Sequence, residues 1–182
     1  QTMVLILSGE KGCGKTSLVR RLIEEYSLHA QGFLSLKEYC NGEPTGISLR
    51  ILPQNKPFPM ATTSPIVTQE KTSTFYYYPR VFDLVNRHFH RIIPDIPFVF
   101  DEFGSLEMEG GGHYPIFALL KTISQTTLMI VKGPLLERFI SSHCRDMNYS
   151  VININDTPQR YAAQGILDFF IGQQHKGIAA GS

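Results

Sequence analysis

The sequence predicts an α/β fold, a mostly parallel sheet with helices on both faces and one inserted antiparallel hairpin. Three observations carry this expectation. The apolar run Met3-Val4-Leu5-Ile6-Leu7 leads through a glycine-rich loop, Gly9 to Thr16, into Ser17 to Glu25, where apolar residues recur at helical spacing. Later apolar runs alternate with further helical patterns, the arrangement of parallel strands buried on both faces. Asn41-Gly42 stands between two strand-like runs and marks a tight hairpin turn.

The elements follow in order. The first helix is expected to end near His29, before Gly32. Gly32 to Leu36 reads as a strand, and Gly46 to Leu52 as its returning partner. The stretch from Pro53 to Pro65 holds four prolines and reads as loop. Ile66-Val67-Thr68 reads as a short strand, and Phe75-Tyr76-Tyr77-Tyr78 as an aromatic cover for either a core or a ligand. Pro79 suits the first turn of a helix that Pro94 stops. Phe98-Val99-Phe100 is a buried strand ending in Asp101-Glu102. Gly110-Gly111-Gly112 is the most flexible point, and the segment to His113 reads as a mobile flap. Tyr114 to Ile123 is helical, Thr127 to Val131 a strand, Leu135 to His143 helical and Ser150 to Ile154 the last strand. Thr157-Pro158 opens a final helix to Phe170. One domain is expected over 1–172, with a flexible tail over 173–182.

Gly9-Glu10-Lys11-Gly12-Cys13-Gly14-Lys15-Thr16 fits the phosphate-binding pattern G-x-x-x-x-G-K-[ST] at every fixed position, between a strand and a helix as the pattern requires. Gly9, Gly12 and Gly14 permit backbone conformations that turn consecutive N–H groups inward as an anion nest. The helix start adds its positive dipole end. Residues 9–17, Gly9 through Ser17, are therefore the candidate nucleotide-binding segment. Lys15 is the candidate for the β- and γ-phosphates, and the Thr16 hydroxyl for Mg²⁺. Glu10, Lys11 and Cys13 occupy variable positions of the pattern and contribute backbone.

In parallel sheets of this type ligands sit at the carboxyl ends of the strands. Asp101 lies at such an end after three apolar residues and is the second candidate for Mg²⁺. Glu102, directly after it, is the candidate base for an attacking water. Lys15 and Glu102 are thus the candidate catalytic pair.

Bulk properties narrow the choices. The chain has 182 residues, 42% of them apolar and 18% charged, which suits one domain with a full core. A net charge of +1 gives no reason to expect nucleic acid as a partner. No apolar run is long enough to span a bilayer, and the first one flows into the glycine loop as a core strand would, not a signal peptide. The chain begins at Gln1 rather than Met, which leaves room for residues upstream. Cys13, Cys40 and Cys144 are widely spread and form no metal or disulfide framework, so reduced thiols in the cytoplasm are expected. His88 and His90 are two apart and read as surface residues. The oligomeric state is not encoded in any of these features.

A family resemblance enters at the acid pair. Asp101-Glu102-Phe103-Gly104-Ser105-Leu106-Glu107-Met108 resembles the Asp-Glu-Ile-Gly-Lys-Met-Glu-Leu signature of the THEP-type nucleoside-triphosphatases. Gly32-Phe33-Leu34-Ser35 resembles their Gly-Phe-Tyr-Thr strand, and Gly46-Ile47-Ser48-Leu49 the Gly-Phe-Asp-Ile that follows. With the glycine loop these matches span roughly the first 110 residues. The resemblance implies a P-loop fold and Mg²⁺-dependent hydrolysis of ATP, GTP and related triphosphates with loose base selection. Two departures stand out. The signature lysine is Ser105 here, and Leu36, Lys37, Glu38 and Tyr39 replace the glutamate and arginine usual after Gly-Phe-Tyr-Thr.

Hydrolysis is the leading expectation. A kinase acting on a nucleotide or small molecule is the first alternative, with Phe75 to Tyr78 as a stacking surface for its acceptor. A nucleotide-dependent switch with a partner surface around the Gly46 hairpin is the second. Arg20, Arg21, Arg50, Arg80, Arg138, Arg145 and Arg160 are candidates for extra positive charge on the transferred phosphoryl group. Asn155-Asp156-Thr157-Pro158 does not spell the guanine-selective Asn-Lys-x-Asp motif.

Overall fold

The computed structural model describes residues 3–179. The chain order is β1 (Val4–Gly9), α1 (Lys15–Glu25), β2 (Gln31–Cys40), β3 (Glu43–Leu52), β4 (Lys56–Thr62), β5 (Tyr76–Tyr77), α2 (Val81–His88), β6 (Phe98–Phe103), α3 (Ser105–Met108), α4 (Tyr114–Thr122), β7 (Thr127–Lys132), α5 (Leu136–His143), β8 (Tyr149–Asn153) and α6 (Gln159–Ala179). The strands form one sheet in the order β5-β4-β3-β2-β6-β7-β1-β8. From β2 to β8 neighbours run parallel, and β3, β4 and β5 extend the sheet antiparallel from β2. The expected class therefore holds, with an antiparallel extension larger than one hairpin.

Two apolar layers cover the sheet. On one face Leu5, Leu7, Leu34, Val99, Leu128 and Ile130 pack against α1 and α6. On the other, Phe33, Phe98, Phe100 and Phe103 pack with α2, α4 and α5. The alternation of these residues along each strand is what a two-sided burial demands. Aromatic residues dominate the second layer. Phe33 lies with its ring centroid 5.0 Å from Phe100, 5.7 Å from Phe89 and 6.1 Å from Phe98.

Several boundaries differ from the sequence reading. α1 stops at Glu25, short of His29, because Ser27 takes a positive φ of 46° and turns the chain. The proline-rich stretch is not all loop, since β4 runs through Pro57 and Pro59. These prolines are two apart, so their missing N–H donors fall along one edge. That edge meets only the short β5, at Ala61 and Thr62. Ile66-Val67-Thr68 is not a strand; it has no pairing partner, and Val67 is fully exposed. α2 begins at Val81 rather than Pro79 and ends at His88, well before Pro94. The connection beyond it is irregular because buried glutamines hold its carbonyls. Gln31 Nε2 donates to Ile93 O and Ile96 O at 2.6 and 2.7 Å, and Gln125 Nε2 donates to Pro94 O and Ile96 O at 3.1 and 2.8 Å. α6 continues past Phe170 to Ala179, so helix occupies part of the expected tail; residues 180–182 lie outside the described residues.

Among the described residues no helix is long and apolar enough to cross a membrane. Phe33 is fully buried at the centre of the aromatic layer. Phe33→Ala should destabilise the fold by about 3–5 kcal/mol, read as a lowered midpoint in urea unfolding.

Candidate functional site

The glycine loop emerges from β1 between β7 and β8, and its conformation is held from three sides. Gly14 caps α1 in the left-handed region, with φ of 92°, and so aims the first turn of the helix back over the loop. Asn155, beyond β8, accepts a hydrogen bond from the Glu10 N–H through Oδ1 at 2.7 Å. Gly133, beyond β7, lies so close that a β-carbon there would stand 2.7 Å from Gly9 O. Lys15 is buried, and its ammonium donates to Gly9 O and Glu10 O, each at 2.9 Å. Its Nζ also lies 3.7 Å from Cys13 Sγ. Ser17 sits exposed in the first turn of α1.

Asp101 reaches this loop from the end of β6. Thr16 Oγ1 donates to Asp101 Oδ2 at 2.7 Å, and the Ser35 N–H of β2 donates to the same oxygen at 2.9 Å. Burial, aided by the Glu102 charge, pushes the Asp101 carboxyl up to about 7. The Thr16 hydroxyl, the Ser35 N–H and the Lys15 ammonium pull the other way.

Glu102 follows at an irregularity in register between β6 and β7, and its peptide bond with Asp101 is cis. The Glu102 carboxylate is part-exposed and lies 3.6 Å from Lys132 Nζ at the end of β7. Lys37 of β2 stands in the same neighbourhood. Its ammonium is held below the usual lysine range, first by partial burial and then by Lys11, with further repulsion from Lys132 and Lys15; Glu102 opposes these effects.

Glu107, the next acid of the segment, is a tie inside the protein. Its Oε2 accepts from the Gly104 N–H and its Oε1 from the His113 N–H, both at 2.9 Å. The carboxyl is buried, which pushes its protonation upward against these two donors. The segment expected to be a mobile flap is thereby tied down. Asn86 Nδ2 donates to Gly112 O at 3.1 Å, the Gly111 N–H donates to Leu106 O at 2.9 Å, and Gly112 and His113 are buried. His113 is wedged between Phe33 and Phe82, with ring centroids 4.6 and 4.9 Å away.

The aromatic run divides. Phe75 is buried in the core and Tyr77 packs on Phe82 at 4.8 Å, so these two cover core, while Tyr76 is half-buried and Tyr78 exposed. His88 and His90 are exposed, as expected. The three cysteines are free. Six of the seven candidate arginines are engaged locally, Arg20 and Arg21 with Glu24 and Glu25 along α1, Arg50 with Asn55 O, Arg138 with Glu109, Arg145 with Ser141 O and Arg160 with Tyr161.

Thus Lys15, Thr16, Asp101 and Glu102 converge where the sequence places them. Four contributors were not singled out from sequence: Ser35, Lys37, Lys132 and Asn155. Ser35 acts through its backbone, and Lys132 and Asn155 are brought in only by strand order. Lys37 alone carried a signal, as a charged residue at the place where the resembled family has charged groups.

No protein-family model matches this chain, and no curated protein matches it. Solved structures do. THEP1 from the hyperthermophile Aquifex aeolicus superposes with a TM-score of 0.67 at 17% identity, over 92% of this chain and 99% of that one. The solution structure of a human cancer-related nucleoside triphosphatase gives 0.66 at 18% identity, over 91% of this chain and 96% of the other. The chain shares the fold of these two structures, the first of them of the THEP type that the sequence resembles.

One prediction concerns His113. Burial alone drives its protonation down to about 3, from 6.5. The unfolded histidine takes its proton near its ordinary value, the folded one only far below it. Stability is therefore intact above pH 6.5 and falls as pH drops toward 3, by up to ~1.4 kcal/mol per pH unit from this group. In urea titrations between pH 7 and 4, wild type should lose stability more steeply than His113→Leu.

Proposed function

We propose that the chain is a nucleoside triphosphatase of the THEP type, transferring the γ-phosphoryl group of ATP, GTP or a related triphosphate to water with Mg²⁺ as cofactor. The observation that carries this reading is the 2.7 Å hydrogen bond from Thr16 to Asp101, which joins the glycine loop to the acid-tipped strand across the site. The likeness to two nucleoside triphosphatases supports it at the level of fold.

The residues have separable tasks. Backbone N–H groups of Gly9 through Ser17 and the start of α1 receive the phosphates. Lys15 leaves its loop carbonyls for phosphate oxygens, a better partner for an ammonium. The donor set suits Mg²⁺, because Thr16 Oγ1 and Asp101 Oδ2 are hard oxygen ligands on one side and leave the remaining positions to water and phosphate. Once bound, the ion neutralises charge on the phosphates.

Glu102 takes the proton of the attacking water. The water oxygen bonds to the γ-phosphorus as the bond from phosphorus to the β–γ bridging oxygen breaks. The bond's electron pair stays on that oxygen, giving a nucleoside diphosphate and inorganic phosphate. For the kinase alternative, Phe75 and Tyr77 belong to the core, which leaves Tyr76 and the exposed Tyr78 as the stacking surface. For the switch alternative, Gly46 itself is buried against Ala61 of β4, while the tip of its hairpin, Tyr39 to Glu43, is exposed.

The test is a panel of triphosphates with Mg²⁺, with and without nucleoside monophosphates. Free phosphate without acceptor is expected. Phosphorylated acceptor would favour the kinase, and tight binding without turnover the switch. Glu102→Gln should bind nucleotide as wild type does and turn over about 10²–10⁴-fold more slowly; normal turnover would remove Glu102 as the base.

A further inference from the structure

Phosphoryl transfer gathers negative charge on the equatorial oxygens, and such sites usually supply a positive side chain beyond the loop lysine, often an arginine. The charges acting on Asp101 and Lys37 come from lysines and from Glu102, with no arginine among them. Ser105, next to the acid pair, is exposed and uncharged. Lys132 is placed differently. It ends β7 in register with Gly9, the first residue of the glycine loop, so its backbone stands directly beside the phosphate-binding segment. Its ammonium reaches across to Glu102, and a β-carbon on Gly104 would come within 3.4 Å of both its Cε and Nζ. The Lys132 side chain thus lies alongside Gly104 at van der Waals distance.

At 3.6 Å the contact with Glu102 is an ion pair rather than a hydrogen bond. Among the described residues the Lys132 ammonium donates no hydrogen bond, so its N–H groups are available to an incoming anion. The pair is part-exposed, which makes it of little worth for stability and leaves it accessible. Lys11, Lys15, Lys37 and Lys132 all act on this one corner, against the carboxyls of Asp101 and Glu102. A positive excess of that kind suits a polyanion.

We propose that Lys132 is the charge-stabilising residue of the reaction, donating to the γ-phosphoryl oxygens while its ion pair aims Glu102 at the attacking water. The inference rests on the hydrolase reading above. It makes the site complete within one chain, with a lysine from β7 in the role elsewhere given to an arginine.

Three measurements on the full chain test it. Mg²⁺–nucleotide affinity of Lys132→Ala should stay within about threefold of wild type, while its single-turnover hydrolysis rate falls about a thousandfold, the low end of what an arginine finger contributes. The variant should bind Mg²⁺–ADP yet fail to trap aluminium fluoride, a mimic of the transferred group, which a role confined to packing would leave untouched. Lys132→Arg, which keeps the charge, should recover at least about a tenth of the wild-type rate. Should Lys132→Ala not fold, Lys132→Met keeps the side-chain length and carries the same test. An active wild type beside an equally active, fluoride-trapping Lys132→Ala overturns this inference alone. A wild type that hydrolyses no triphosphate overturns the hydrolase reading and this inference with it.

Discussion

The site is organised around one buried carboxyl. Asp101 has almost no contact with solvent, and burying such a group is costly unless hydrogen bonds compensate. Two donors do so, from elements far apart in sequence: the Thr16 hydroxyl at the start of α1 and the Ser35 N–H in β2. Satisfying one oxygen thus fixes a helix start, a strand and a strand end relative to one another. Losing either donor would leave the buried oxygen with one hydrogen bond instead of two, so the geometry of the three elements and the stability of the fold are linked. The same geometry places a hydroxyl and a carboxyl side by side at the mouth of the glycine loop.

The parts legible in the sequence were those with a local signature. The strand, glycine loop and helix from Val4 to Glu25 follow from apolar spacing and a fixed motif. Asp101 and Glu102 follow from three apolar residues and their place at a strand end. What escaped was set by distant partners. Pro57 and Pro59 argue against a strand until β3 and the open edge are known. The run of glycines at 110–112 argues for mobility until the Asn86 amide and the Glu107 carboxylate are seen to hold Gly112 and His113 at its far end. Ser35 contributes a backbone group that every residue type would offer, and Asn155 and Lys132 depend on which strands flank β1. Periodicity reads the face of an element, not its neighbours.

The comparison with solved structures makes a related point. At 17–18% identity the fold is kept almost end to end, while Ser105 stands at the lysine of the resembled signature and Leu36 to Tyr39, within β2, at its charged pair. Glu107 is retained, and its two backbone contacts explain why it serves the architecture: it closes the turn between β6 and α4 and sets His113 into the aromatic layer. Positive charge, in contrast, has no single required origin. Lys37 and Lys132 bring it from two different strands to the same carboxylate. A site built on electrostatics can redistribute its charges without moving its backbone.

The first strand of the chain is flanked by two of the last, β7 and β8, and Asn155 clasps Glu10 across 145 positions. During synthesis the glycine loop is thus made well before β7, β8 and Asn155, the elements it lies against. Long-range pairing of this kind is assembled slowly, since its loop-closure entropy must be met first. Nascent fragments ending before residue 150 lack β8, Asn155 and α6, and cannot hold the loop in its finished shape. The finished shape of the glycine loop therefore waits on synthesis of β8 and Asn155 rather than on emergence of its motif.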